Sequence, residues 1–176
     1  MKRICLIIDA GYLSTLRRRY NHLDLNNIRD YVELNFGPIT CAYYFTSMRD
    51  GFHDAGVEAF LNYLQSLEWI QLVTKGQKRQ SCKKCGQEKY VERGVDVSMI
   101  TAAIREAHNN TYDCLIMLNG DGDLYDGLSY IKELGKDYVP LSEPETTSGM
   151  LDTIASFHVD VLRIEEHFNK EYGYGN

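Results

Sequence analysis

The sequence predicts an α/β protein, a three-layer α/β/α sandwich around a mostly parallel central sheet, and three observations predict it. The strand-like runs RICLIID, ITCAYYFT, WIQLVT, DCLIMLN, DYVPLS and DVLRI are in several cases apolar nearly throughout, as strands buried on both faces are. Segments with apolar residues at helical spacing lie between them. The length of 176 residues, 44% hydrophobic and 25% charged with only three prolines, suits one domain over residues 1–170 that buries a core without covalent staples.

Taken in order, the first element is the strand RICLIID. Its basic start and short apolar run are broken by Asp9, too early for a signal peptide or a membrane span, so the expected setting is the cytosol, away from any membrane. A helix over 24–35 follows, with Leu25, Ile28, Tyr31 and Val32 on one face. After the strand ITCAYYFT comes a helix over 53–67 with Val57, Phe60, Leu61 and Leu64, then the strand WIQLVT. Residues 75–93 read as an irregular insertion, and long loops in compact domains tend to be functional. A helix over 95–109 follows, where Val95, Val97 and Met99 are expected to pack against the sheet. The strand DCLIMLN, a helix over 124–134, the strand DYVPLS, the turn SEPETTSG, a helix over 148–157 and the strand DVLRI complete the chain, and the tail EYGYGN at 171–176 is expected to fray.

Charge is unevenly spread. The net −6 argues against an indiscriminate nucleic-acid binder, yet residues 75–93 hold seven basic and two acidic residues, a local +5 that leaves −11 elsewhere. A basic edge on an acidic body suits a polyanion, and a solvated loop gives the same count. Lys78, Arg79, Lys83, Lys84 and Arg93 are the candidate phosphate-binding residues, and the cations of LRRRY at 16–20 either extend them or form a solvated helix face. Cys5, Cys41 and Cys114 fall in apolar runs as small buried residues rather than a disulfide framework. Cys82 and Cys85, in the spacing CxxCG, form half of a Zn²⁺ site; His53, another thiol or a second copy of the chain in a homodimer would have to complete it, and a reduced, metal-free pair in a tight turn is the alternative.

Carboxylates are the chemically informative residues. Asp9 closes the first strand, and Asp121 and Asp123 follow the strand DCLIMLN in LNGDGDL. Ligands of open parallel sheets bind outside the carboxyl ends of the strands, where strand order reverses. If those two strands are neighbours there, the three acids share one pocket, with Asp96 in the first turn of a helix as a fourth. Each alone is what a turn or a helix cap requires. Together they repel one another unless a cation intervenes, and oxygen-only ligands favour Mg²⁺ or Mn²⁺.

The blocks IIDAGYL, ERGVDVSMITAAI and LNGDGDLYDGLSYIKELGKDYV, in that order and spacing, resemble the three signature blocks of the NYN domain, the PIN-like nuclease group that includes LabA-type bacterial proteins. The resemblance implies a PIN-like Rossmannoid fold, a metal-dependent ribonuclease acting on RNA, and catalytic, metal-holding carboxylates at Asp9, Asp96, Asp121 and Asp123. Tyr12 stands where many members carry Asn, Asn119 where Ser is usual and still able to hydrogen-bond in support, Leu124 where Phe is usual and Arg93 where Lys is common. A catalytically weak RNA-binding or regulatory module is the competing reading. A phosphatase of the haloacid dehalogenase type fits poorly, because its nucleophile motif needs a second Asp where Gly11 stands.

Overall fold

The computed structural model describes residues 1–49, 51, 54–81 and 85–171. Seven strands form one sheet in the order β4-β3-β2-β1-β5-β6-β7. They are β1 (Ile4–Asp9), β2 (Ile39–Met48), β3 (Gln71–Ser81), β4 (Glu88–Glu92), β5 (Cys114–Leu118), β6 (Asp137–Ser142) and β7 (Val159–Asp160). Every neighbouring pair is parallel except β3 and β4, which run antiparallel. The helices are α1 (Ala10–Leu16), α2 (Leu25–Asn35), α3 (Ala55–Ser66), α4 (Val95–His108), α5 (Tyr125–Glu133), α6 (Gly149–Ile154) and α7 (Leu162–Glu171), with 3-10 turns at Gly122–Leu124 and Pro144–Thr146.

The continuous apolar run of β1 has a direct cause. Ile4, Leu6 and Ile8 belong to one buried cluster, with Leu13 and Leu16 of α1, Ile28 and Val32 of α2, Leu64 of α3 and Ile164 of α7. Cys5 and Ile7 belong to another, with Val95, Met99 and Ala103 of α4, Leu128 and Ile131 of α5 and Leu151 of α6. Successive strand side chains point to opposite faces, so a strand covered on both sides has no polar face to show. Each such aliphatic side chain contributes about 1.5–3 kcal/mol by leaving water, which makes β1 and β5 the rigid centre from which the rim residues project. No helix among the described residues is long and apolar enough to cross a membrane.

Four expectations need correction. Residues 75–93 are largely regular: β3 continues to Ser81 and pairs with β4 from Gln77↔Glu92 to Ser81↔Glu88. The polar sequence hid this because the hairpin is held by backbone hydrogen bonds with little burial, so no apolar alternation marks it. DVLRI is a strand only through Asp160; Val161, Ile164 and Phe168 are buried at helical spacing, and the Asp160 carboxylate accepts from Leu162 N at 2.9 Å where α7 starts. α1 is a helix the periodicity did not mark, because seven residues are too few to show one. Val97 is 70% exposed while Val95 and Met99 are buried, since residues two apart in a helix point to nearly opposite sides.

Gly94 turns the chain from β4 into α4. Its φ of +74° lies in the left-handed region that glycine adopts without a Cβ penalty. Glu92, at the end of the hairpin, and Asp96, in the first turn of α4, stand on either side of that turn.

Candidate active site at the carboxyl ends of β1 and β5

β1 and β5 are parallel neighbours, paired from Ile4↔Cys114 to Ile8↔Leu118. From β1 the chain builds outward through β2 and β3, then returns to build through β5, β6 and β7. Strand order therefore reverses between β1 and β5, where open α/β sheets leave a crevice. Asp9 ends β1, and Asn119 and Asp121 follow β5.

Both segments cap the elements that follow. The Asp9 Oδ1 atom accepts from Gly11 N at 2.8 Å and Tyr12 N at 3.4 Å, which starts α1. Asp121 Oδ1 accepts from Asp123 N at 2.9 Å, which starts the 3-10 turn. The buried Asn119 amide joins the two: its Nδ2 donates to Asp9 Oδ2 at 2.8 Å, and its Oδ1 accepts from Asp121 N. A carboxylate offers about four lone-pair positions, so Asp9 retains little free capacity in this arrangement and Asp121 retains most of its own.

Asp9 and Asp121 line an open cleft of about 570 Å³ together with Tyr12, Thr15, Glu92, Asn119, Glu145 and Thr147. Asp96 and Asp123 do not line it. Asp96 is nonetheless electrically part of the group: burial raises its pKa above the ordinary carboxylate range, and the charges of Asp121, Asp9, Glu92 and Asp123 raise it further. Burial also raises Asp9, with Glu92 adding to the rise, against the opposing pull of the Gly11 and Tyr12 amides and of Asn119. Like charges gathered in a partly desolvated place disfavour ionisation. Among the described residues, no group of three or more His, Cys, Asp or Glu is set to hold a metal ion.

Residues 143–148 form the wall opposite α1. Ser148 N donates to Gly120 O at 3.0 Å, and a Cβ on Gly122 would lie 2.6 Å from Ser148 Oγ, so only glycine allows this approach. The Tyr12 hydroxyl accepts from Glu143 N at 3.0 Å and lies 2.9 Å from Thr146 Oγ1, tying α1 to the wall. Glu143 is buried, with Oε1 accepting from the Tyr20 hydroxyl at 2.7 Å and Oε2 paired with Arg19 at 2.7 Å. Within LRRRY all three arginines are exposed, but Arg19 has a structural task in its pairing with Glu143.

Lys78, Arg79 and Arg93 line a second cleft, of about 320 Å³, with Gln80, Val91 and Glu92. Glu92 lines both clefts, so the basic hairpin borders the acidic site. Arg79 pairs with Glu88 across the hairpin, and the Glu92 carboxylate accepts from Ser47 Oγ. Cys85 is exposed; Cys5 and Cys114 are buried thiols as expected, whereas Cys41, expected with them, is only partly buried. Cys82, Lys83, Lys84 and His53 lie outside the described residues. Sequence reasoning missed Glu92, Tyr12 and Glu143. Glu92 was legible only as one acid in a basic stretch, because nothing local says that a hairpin returns its last residue to a distant pocket.

Comparison with known proteins bears on the fold and the family. A crystal structure of a protein of unknown function from Vibrio parahaemolyticus has a similar fold, with a TM-score of 0.64 at 23% identity over 90% of this chain and 92% of that one. No curated protein matches the chain. The model of the NYN domain matches residues 3–162, nearly the whole length. With strand order, rim carboxylates and this match in agreement, the chain belongs to the NYN domain family, within the PIN-like nuclease superfamily.

Proposed function

We propose that the protein is a cytosolic, metal-dependent endoribonuclease whose cutting site is the acidic cleft. Asp9, Asp96, Asp121 and Asp123 are assigned as the residues that would hold Mg²⁺ or Mn²⁺. The observation that carries this reading is the delivery of Asp9 and Asp121 by adjacent parallel strands to the point where strand order reverses, with Asp96 within their field. The donor chemistry fits a hard cation, since every candidate ligand is an oxygen. Asp9 and Asp96 are raised first by burial and then by neighbouring acids, a setting that a bound cation would relieve. Such an ion, when bound, activates water and stabilises the charge that develops during in-line attack on a phosphodiester.

The chain's own residues supply position and charge. Asn119 keeps Asp9 and Asp121 in fixed relation, Tyr12 holds the 143–148 wall against α1, and substrate phosphates are assigned to Lys78, Arg79 and Arg93, which border the cleft through Glu92, and to Lys83 and Lys84, which lie outside the described residues. The two core clusters, to which different helices contribute, support a three-layer α/β/α arrangement. Cys82 and Cys85 are assigned as a Zn²⁺-binding pair between β3 and β4 on the strength of their spacing.

The second reading, an RNA-binding or regulatory module of little catalytic power, is favoured by the absence among the described residues of an assembled ligand group. A panel of end-labelled RNAs incubated with Mn²⁺ and with EDTA separates the two. Internal cuts that appear with Mn²⁺ and vanish with EDTA support the nuclease; RNA that is bound in both conditions and never cut supports the module.

A further inference from the structure

On the other side of α1 from the acidic cleft lies a second concavity, of about 450 Å³, lined by Leu13, Ser14, Arg17, Arg18, Tyr44 and Phe60. The short helix is the partition: Gly11, Tyr12 and Thr15 line the acidic cleft, and Leu13, Ser14 and the residues just after the helix line this one. A helix is about 10–12 Å across with its side chains, so one extended strand of nucleic acid can occupy both hollows. Tyr44 joins the two neighbourhoods, since its phenol lies within electrostatic reach of both Asp9 and Arg17.

The lining has two chemical parts. Tyr44 and Phe60 meet edge to face with ring centroids 6.0 Å apart, and Tyr63, 41% exposed, continues the row 6.4 Å beyond Phe60. Arg17 and Arg18 are exposed, and among the described residues neither is held in an ion pair. An acidic peptide would use the cations and leave the rings idle. A nucleotide uses both, a planar base on the aromatic face and a phosphate against the guanidinium groups.

We propose that this concavity is a nucleobase subsite: it takes one unstacked base of a single-stranded RNA passing the acidic cleft, with Phe60 as the stacking surface and Arg17 and Arg18 at the flanking phosphates. The inference rests on the reading of the cleft as an RNA-cutting site and narrows its substrate to single strands. Bases within a duplex are paired and stacked on one another, and only splayed bases reach an aromatic side chain.

The test is fluorescence anisotropy in EDTA, where the RNA is not cut, with a fluorescein-labelled RNA of about 12 nucleotides, a length within the site sizes of single-strand binders, presented single-stranded and annealed to its complement. Wild type is expected to bind the single strand at least about tenfold more tightly than the duplex, the worth of one base stacked on a ring. Phe60→Leu keeps an apolar side chain but removes the ring, and should weaken strand binding about tenfold without changing duplex binding, with Phe60→Tyr restoring it. Arg17→Gln combined with Arg18→Gln should reduce the log–log salt slope by about 0.7 for each phosphate no longer neutralised. Both arginines are exposed, so this variant decides the matter if circular dichroism shows Phe60→Leu to be unfolded. Equal affinity for strand and duplex overturns the subsite, as does wild-type strand affinity in a folded Phe60→Leu or an unchanged salt slope in the arginine variant. Strand binding that survives these changes leaves the RNA reading standing; a wild type that binds neither form removes that reading and the subsite with it.

Discussion

Asn119 uses its amide on both sides, donating to Asp9 and accepting from Asp121 N. A buried amide satisfied in this way is costly to lose, because its partners are left desolvated. Asn119→Leu should destabilise the fold by about 1–3 kcal/mol in urea denaturation. Asp96 is the opposite case. Its folded pKa lies above the ordinary value because of burial and the neighbouring acids, so its charge opposes folding. That opposition is fully present above the folded pKa, shrinks as pH falls toward the unfolded pKa, and is absent below it. Asp96→Asn should therefore raise the melting temperature at about pH 7 without metal, and the gain should disappear in acid below the usual carboxylate range; an equal gain under both conditions would contradict the electrostatic account. At this scale the sequence was informative about identity and silent about geometry. The positions of Asp9 and Asp121 after apolar runs marked them as rim residues, whereas Asp123, expected in the same pocket, does not line the cleft. Tyr12 read as a replacement for Asn, whereas its hydroxyl ties α1 to Thr146, 134 positions further along the chain.

The hairpin β3–β4 is the element least like its sequence forecast. It is a regular antiparallel pair whose cations border the acidic cleft through Glu92. Regularity fixes where those cations stand, which a loop would not do. Replacing Lys78, Arg79, Lys83 and Lys84 together with Gln should weaken RNA binding and lower the salt slope by about 0.7 per phosphate no longer neutralised, while saturating RNA restores much of the turnover. An unchanged slope would move the RNA track elsewhere. Cys82 and Cys85 give a separate expectation: if the pair holds Zn²⁺ rather than standing as reduced, metal-free thiols, purified protein contains zinc by elemental analysis and Cys82→Ser releases it. Metal-free wild type would remove zinc without affecting the acidic site. The helices predicted over 24–35, 53–67 and 95–109 match α2, α3 and α4 closely, because an apolar face at helical spacing records burial directly. α7 carried that spacing too, but its first residues resemble a strand; α1 and the hairpin bury too little to leave a pattern.

At the scale of the molecule, one topological fact organises the rest. β1 sits at the middle of the sheet, and its two neighbours belong to opposite directions of chain growth, so β1 and β5 meet at the only rim position that receives acids from both halves of the described sheet. The alternation of strands and helices made this legible as a condition, that the two strands be neighbours, and the pairing of β1 with β5 meets it. The segregation of charge into a basic hairpin and an acidic body follows the same geometry, since cations border the place where carboxylates gather. Whether these acids act as one cation-dependent cutting site is read from the initial rate of cleavage of a labelled RNA at saturating Mn²⁺. Wild type, Asp9→Asn and Asp121→Asn are compared after circular dichroism shows all three folded. Each substitution is expected to lower the rate by at least about 100-fold, beyond what disturbing a residue behind a ligand costs, while RNA binding persists. Cleavage by either variant at the wild-type rate would contradict a single cutting site.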